Sequence, residues 1–369
     1  MSFPALVVAS ALAAQETPGA TAELRGLWVV RTGLTSPAAV DRVVEEAAQG
    51  GLNALFVQVR GRGDAFYSSR LVARSPLLSG QPAKFDPLRR LLDRARERGL
   101  AVHAWVNVLL TSHFQPVPGD NVVALHPDWI MLPRDTTAPP PGGGPGGLLS
   151  AVRQKARGNG DAEGFYLSPS SAPAGDHLEA VVREVVAGYE IDGLHFDFIR
   201  YPSLEYDYSR VALDGFRRLS GGSVAAQAPA AWAAYRRDVL TNLAARLSRV
   251  AREERPRLRI SAAVVPDQAT ALHQKFQAWP EWLAIGILDA VCPMAYTQDL
   301  RIFQEQIGEA RARVKPGQGL WAGVGAYRLS LAEVAERIAA ARAIGATGYV
   351  LFSHESFAGG DLRQLRGGR

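Results

Sequence analysis

Cys292 is the only cysteine in 369 residues, and methionine occurs three times. A lone thiol excludes an intrachain disulfide and any metal centre built from paired cysteines. His-x-His pairs and His-Glu-x-x-His helices are also missing, which argues against a metal-dependent hydrolase or deacetylase assembled on His103, His195, Asp197 or His354. No metal or cofactor is expected. Runs of like charge are absent too: 41 basic residues stand against 36 acidic ones, a net charge of +5, with arginine scattered along helical patterns. That distribution reads as a solvated surface and carries no nucleic-acid footprint.

No apolar run reaches the roughly 20 residues of a bilayer-crossing helix, so no membrane span is expected in the mature protein. The run at 3–14 includes Ala11-Leu12-Ala13 and gives way to Gln15-Glu16-Thr17. It matches the apolar region and cleavage site of a secretory signal, although the basic first segment is missing. Residues 1–14 are predicted to be an export signal, 15–23 a linker and 24–369 one barrel domain, with the chain periplasmic or extracellular. A hydrophobic fraction of 47% supports an ordinary globular core and excludes general disorder.

What is present is alternation. Strand patterns at 24–30, 54–60, 101–107, 193–198, 258–265, 287–295, 320–325 and 348–352 are separated by helical ones, among them 36–49, 176–187, 229–253 and 331–344. Eight strands interleaved with helices predict a closed (β/α)8 TIM barrel over an open sheet. A long Pro/Gly-rich loop after the third strand breaks the rhythm, and no regular element is predicted within 133–147. It leaves from the end of the barrel where such folds carry their chemistry, so it is expected to wall or cover the site. Past Ser356, only 361–365 offers a further helical turn.

Odd polar residues fall at that same end. Alternation places His195 and Asp197 on one face of the fourth strand and Leu194, Phe196 and Phe198 on the other. His103, Trp105 and Asn107 share a face of the third strand, and Gln58 and Arg60 a face of the second, with Arg62, Asp64 and Tyr67 beyond. The sixth strand ends in Met294-Ala295-Tyr296, and the eighth runs into Ser353-His354-Glu355. Any one of these has a bland structural reading; their convergence on one mouth points to a ligand. Trp28, Trp105, Trp129, Tyr296 and Trp321 suit a sugar, whose apolar faces stack on rings while its hydroxyls need amide, carboxylate or guanidinium partners. Trp28 and Trp321 best fit plain core filling.

The motifs together resemble the glycosyl-hydrolase-like family 10 proteins. They are Arg25-Gly26-Leu27-Trp28, Gln58-Val59-Arg60 with Gly63-Asp64-Ala65-Phe66-Tyr67-Ser68-Ser69, and His103-Ala104-Trp105-Val106-Asn107. After these come His126-Pro127-Asp128-Trp129, Tyr166-Leu167-Ser168-Pro169, Asp192-Gly193-Leu194-His195-Phe196-Asp197 with Tyr201-Pro202, and Pro293-Met294-Ala295-Tyr296. The resemblance implies a secreted bacterial glycosidase on a (β/α)8 barrel that hydrolyses a polysaccharide, with some relatives acting on cell-wall glycan. Ser168 stands where relatives often carry Asn.

Glycoside hydrolysis ordinarily uses two carboxyls. Asp197 is the first candidate, with His195 placed to orient it. Asp64 and Glu355 lead for the second, ahead of Asp267 and Asp299; Asp299 is read as a helix cap, and Asp192, at the other end of its strand, as structural. Arg60, His103, Trp105, Asn107, His195, Arg200, Tyr201 and Tyr296 are the candidate substrate-binding residues, and Arg60 and Arg200 raise the prospect of an acidic sugar. A non-catalytic glycan-binding barrel is the alternative. In either case the partner is a polysaccharide or oligosaccharide.

Overall fold

The computed structural model describes residues 23–136, 144–159, 162–357 and 361–365. The predicted signal at 1–14, and all of the predicted linker but Glu23, lie outside the described residues. Eight parallel strands close into a barrel: β1 (Leu24–Val29), β2 (Ala54–Arg60), β3 (Ala101–Asn107), β6 (Gly193–Asp197), β7 (Arg259–Val264), β8 (Ala290–Pro293), β9 (Gly319–Gly325) and β10 (Gly348–Phe352). The order around the ring is β1-β10-β9-β8-β7-β6-β3-β2, and pairing of Leu24 with Gly348 closes it. The fold is the predicted TIM barrel. Between β3 and β6, β4 (Leu110–Ser112) and β5 (Phe165–Tyr166) form a separate antiparallel pair.

Period-two alternation sorts the side chains into two cores. Leu55, Val57, Leu194 and Phe196 point out to the helices, while Trp28, Phe56, Trp105 and Trp321 fill the barrel. Because helices cover the outside, β2 is buried along its whole length. Register sets the height of each inward residue: His103 stands beside Gly193, Trp105 beside His195, and Asn107 beside Asp197 at the top. Asn107 and Asp197, with Trp105 just below them, reach the mouth, whereas His103 and His195 do not. Gly193 is required where it is, because a Cβ there would meet His103 Nδ1 at 2.1 Å.

Several boundaries differ from the sequence reading. The helix predicted at 176–187 runs Ala172–Gly188, since Ser171 Oγ caps it and Pro173 is well placed in its first turn. The sixth barrel strand, predicted at 287–295, is β8 alone, because Pro293 has no N–H with which to continue the ladder. A helix at Gly144–Asn159 begins inside the stretch predicted to lack regular structure, whose residues 137–143 lie outside the described ones. The helix Leu331–Ile344 falls where predicted, capped by a reciprocal Ser330–Glu333 box and ended by Gly345 at φ 89°.

Candidate active site

A cavity of about 340 Å³ opens at the C-terminal end of the barrel. Its apolar side is built from inward residues of several strands and the loops after them: Trp28, Trp105, Met294, Tyr296 and Phe352. Tyr296 stacks on Phe352 with ring centroids 5.3 Å apart, and both set an edge or face against Trp28. The polar side is a chain of amides and guanidiniums. Arg31 Nη1 donates to Gln58 Oε1 at 2.9 Å, Gln58 Nε2 to Asn107 Oδ1 at 3.4 Å, and Asn107 Nδ2 to the Gly61 carbonyl at 2.7 Å. One rim of the cavity is therefore greasy and the other rich in donors.

Asp197 ends β6 and lines this cavity. The next residue, Phe198, sits at φ 50°, a left-handed conformation that costs a bulky side chain about 1–3 kcal/mol. The turn it makes brings Arg200 back over its own ring, 4.2 Å from the centroid, and onto the carboxylate. Asp197 Oδ1 accepts the Phe198 N–H at 2.6 Å and Arg200 Nη1 at 3.3 Å, which leaves Oδ2 without a hydrogen-bond partner among the described residues. Burial raises the Asp197 pKa above the ordinary carboxylate value, and the Arg200 charge opposes that rise.

The second acid in the cavity lining is Glu163. Arg200 Nη2 lies 3.8 Å from Glu163 Oε1, so one guanidinium faces both carboxylates. The two oxygens it faces are therefore no more than about 10 Å apart, close to the upper end of the carboxyl spacings glycosidases use. Glu163 reaches this place on the loop that leads into β5. Tyr166 donates its hydroxyl to Glu163 Oε2, and His113 donates Nδ1–H to the Glu163 carbonyl at 3.1 Å. The neighbouring Gly164 packs so tightly on β4 that a Cβ would meet the Ser112 carbonyl oxygen at 1.9 Å. The side chains differ in setting: Glu163 is 53% exposed, Asp197 only 9%.

Of the eleven candidate catalytic and substrate-binding residues, Asp197, Arg200, Trp105, Asn107 and Tyr296 line the cavity and the other six do not; Gln58, Arg62 and Met294, also noted at strand ends, line it as well. Arg60 is turned away by a register shift after Gln58, which sets it opposite helix-facing Val106. Its buried guanidinium caps the Asn107 and Val108 carbonyls, and burial lowers its pKa to about 10. His103 lies a layer too deep, stacked 4.5 Å from Phe56 and lowered to about 3 by burial. His195 sits beneath Trp28, and Tyr201 is fully buried against Phe276. Asp64 accepts the Arg62 backbone N–H at 2.9 Å, and Glu355 takes the Thr32 hydroxyl. Asp267 and Asp299 cap helices, while Asp192 accepts the Val102 N–H at 2.7 Å. Trp129 stacks on His126 at 3.9 Å, off the cavity, whereas Trp28, read as core, forms part of its wall.

Glu163, Arg31 and His113 were not singled out by the sequence reasoning. The available signal was slight: an acid followed by glycine, three residues before the Tyr166-Leu167-Ser168-Pro169 motif. Among the described residues, no group of three His, Cys, Asp or Glu side chains is arranged to hold a metal ion, and no helix is long and apolar enough to cross a membrane.

The glycosyl hydrolase DigH of Escherichia coli K12 is 26% identical, over 74% of this chain and 65% of its own length, so the chain spans less than two thirds of that relative. The glycosyl hydrolase YngK of Bacillus subtilis is 27% identical, over 44% of this chain and 28% of its own. Among solved structures, the PgaB (BpsB) glycoside hydrolase domain of Bordetella bronchiseptica matches 94% of this chain and 98% of its own with a TM-score of 0.68 at 16% identity. Alpha-L-fucosidase isoenzyme 2 of Paenibacillus thiaminolyticus matches 94% of this chain and 48% of its own at 0.66, also with 16% identity. Those two likenesses show the fold. The glycosyl hydrolase-like 10 family model covers residues 23–336, and the chain belongs to that family.

Proposed function

We propose that the chain hydrolyses glycosidic bonds of a bacterial polysaccharide, cell-wall glycan being the first class to test. The observation that carries this reading is the pair Asp197 and Glu163, bridged by Arg200 in an aromatic-walled cavity at the C-terminal mouth of the barrel. Asp197 is the assigned acid, delivering a proton to the glycosidic oxygen as the bond to the anomeric carbon breaks; its burial, which raises its pKa, favours that role. Glu163, more open to solvent, activates water or attacks the anomeric carbon directly. Arg200 holds the two acids in register, and Trp28, Trp105 and Tyr296 take the apolar faces of the sugar. In its favour are the family membership and the relatives named as glycosyl hydrolases. Export, proposed from the pattern at 1–14, is checked by fractionating cells that express the full chain.

The test is to incubate the protein with fractionated bacterial cell-wall and exopolysaccharide material and to follow new reducing ends by mass spectrometry. Asp197→Asn and Glu163→Gln should each lose at least about a hundredfold in kcat while keeping the wild-type melting profile. Azide added to Glu163→Ala should restore part of the rate if that carboxyl meets the anomeric carbon or its water. Saturable glycan binding with no new reducing ends at any protein concentration would favour a non-catalytic glycan-binding barrel instead.

A further inference from the structure

Two arginines of the cavity lining, Arg31 and Arg62, are not occupied by the carboxylate pair. Arg31 follows β1 and lies across Gly61, where a Cβ would meet its Cδ at 2.9 Å; its Nη1 is held by Gln58 at 2.9 Å. Arg62 lies on the loop after β2, with its side chain exposed. Neither guanidinium is within ion-pairing distance of a carboxylate among the described residues, although Asp64 and Glu355 lie near enough to act on Arg31. Asp64 accepts the Arg62 backbone N–H and Glu355 the Thr32 hydroxyl, so both acids act on the arginines from a distance, Asp64 on Arg62 as well, without contacting either guanidinium. Arg200, the third arginine of the lining, is taken by Asp197 and Glu163.

We infer that Arg31 and Arg62 form a subsite for a carboxylate carried by the glycan, so that the substrate is an acidic polysaccharide. This rests on the reading that the cavity holds a glycan, and it names the chemical class of that glycan. Both guanidiniums line one cavity, and a neutral chain would offer neither of them a charged partner. A carboxylate satisfies both, and the planar fork of a guanidinium accepts it with two parallel hydrogen bonds. Burial lowers the Arg62 pKa, the Arg31 charge adds to that, and Asp64 opposes it. His113 adds no competing positive charge, since burial lowers its pKa and both arginines oppose its protonation. The role first suggested for Arg60 and Arg200 thus passes to two other arginines, because Arg60 is sealed against the β3 carbonyls and Arg200 is already paired.

The experiment uses the full chain carrying Asp197→Asn, so that bound glycan stays uncut, and measures binding by calorimetry. Two sources of the same group are compared: oligosaccharides with a hexuronate carboxylate and oligosaccharides with a lactyl-ether carboxylate. Each is offered intact and after chemical reduction of its carboxylates to alcohols. The intact form of at least one should bind about tenfold more tightly than its reduced form. Adding Arg31→Gln and Arg62→Gln should bring that ratio close to one. Equal affinity for intact and reduced forms in both arms, or a ratio unchanged in the double-arginine variant, would overturn the inference. Reducing ends released by the wild type are scored separately. Carboxylate preference without cleavage keeps the subsite and sinks hydrolysis; cleavage without preference does the reverse.

Discussion

Trp28 donates its indole N–H to Nε2 of His195 across 3.4 Å, so a wall of the cavity at the barrel mouth is aimed by a residue outside it. Nε2 must then be the acceptor, and Nδ1–H donates to Ser261 Oγ at 2.9 Å. His195→Leu leaves the Trp28 N–H and the Ser261 hydroxyl unpartnered in the barrel, at a cost of about 1–3 kcal/mol for each group. Urea unfolding should show that loss, and kcat/KM should fall with it because Trp28 is no longer fixed. His195→Gln, which can both donate and accept, should recover part of the activity. Loss of stability with kcat/KM untouched would reduce His195 to a purely structural role.

The same interior predicts sensitivity to acid. Burial lowers the His103 pKa to about 3, with the Arg259 charge adding to the effect; burial likewise drives His195 well below its ordinary 6.5, with His103 adding to it. Both imidazoles are neutral in the folded chain, whereas the unfolded chain protonates them near 6.5. Below that pH the unfolded state binds more protons, so this stability is fully present above about 6.5 and is lost as pH falls toward the folded-state values. The decline is at most about 1.4 kcal/mol per pH unit for each histidine. Urea midpoints measured at pH 7 and pH 5 should differ less in His103→Gln than in the wild type; equal differences would contradict a neutral, sealed His103.

A third prediction concerns the bridging arginine. Arg200 favours the charged form of Asp197, against the burial that raises its pKa. Arg200→Met removes that support, so the Asp197 ionisation moves to higher pH. With Asp197 as proton donor, kcat/KM declines as pH rises through this ionisation, and the alkaline limb should shift upward in the variant. A limb that stays in place, or moves down, would assign the acid to another group.

The placement of Glu163 is tested at its neighbour. Gly164→Ala would drive a methyl group into the Ser112 carbonyl oxygen, 1.9 Å away, and force β4 and β5 apart. The barrel strands are untouched, so circular dichroism should stay native while activity falls about a hundredfold, the scale of an ångström-sized misplacement of a reacting group. Gly80→Ala, where nothing lies within 4 Å of the added methyl, is the matched control and should be silent.

The barrel was legible because its signals are local. Period-two strands and the helical patterns at 36–49 and 331–344 are each written within a short stretch, and the structure has helices at Pro37–Gln49 and Leu331–Ile344. Alternation also put Asp197 and Asn107 on inward faces at the tops of their strands. It failed for Arg60, where one shifted residue exchanges the faces and no local signal marks the shift. It also could not give depth, so His103 and His195 were grouped with residues one layer above them. Glu163 was missed for a different reason. Its partner Asp197 is 34 positions away, and they meet only because β4 and β5 fold the long excursion back over the mouth.

The chain's own order of residues determined that parallel strands would close into a ring, and that one acid would crown β6, since both follow from periodicity and from the chemistry of single positions. Which second acid faces it, and which arginines are left unpaired beside them, was decided by tertiary structure alone. Those relations depend on ångström-scale distances between loops far apart in the chain. Nothing local in the sequence encodes such distances until packing, strand register and the Phe198 turn set them together.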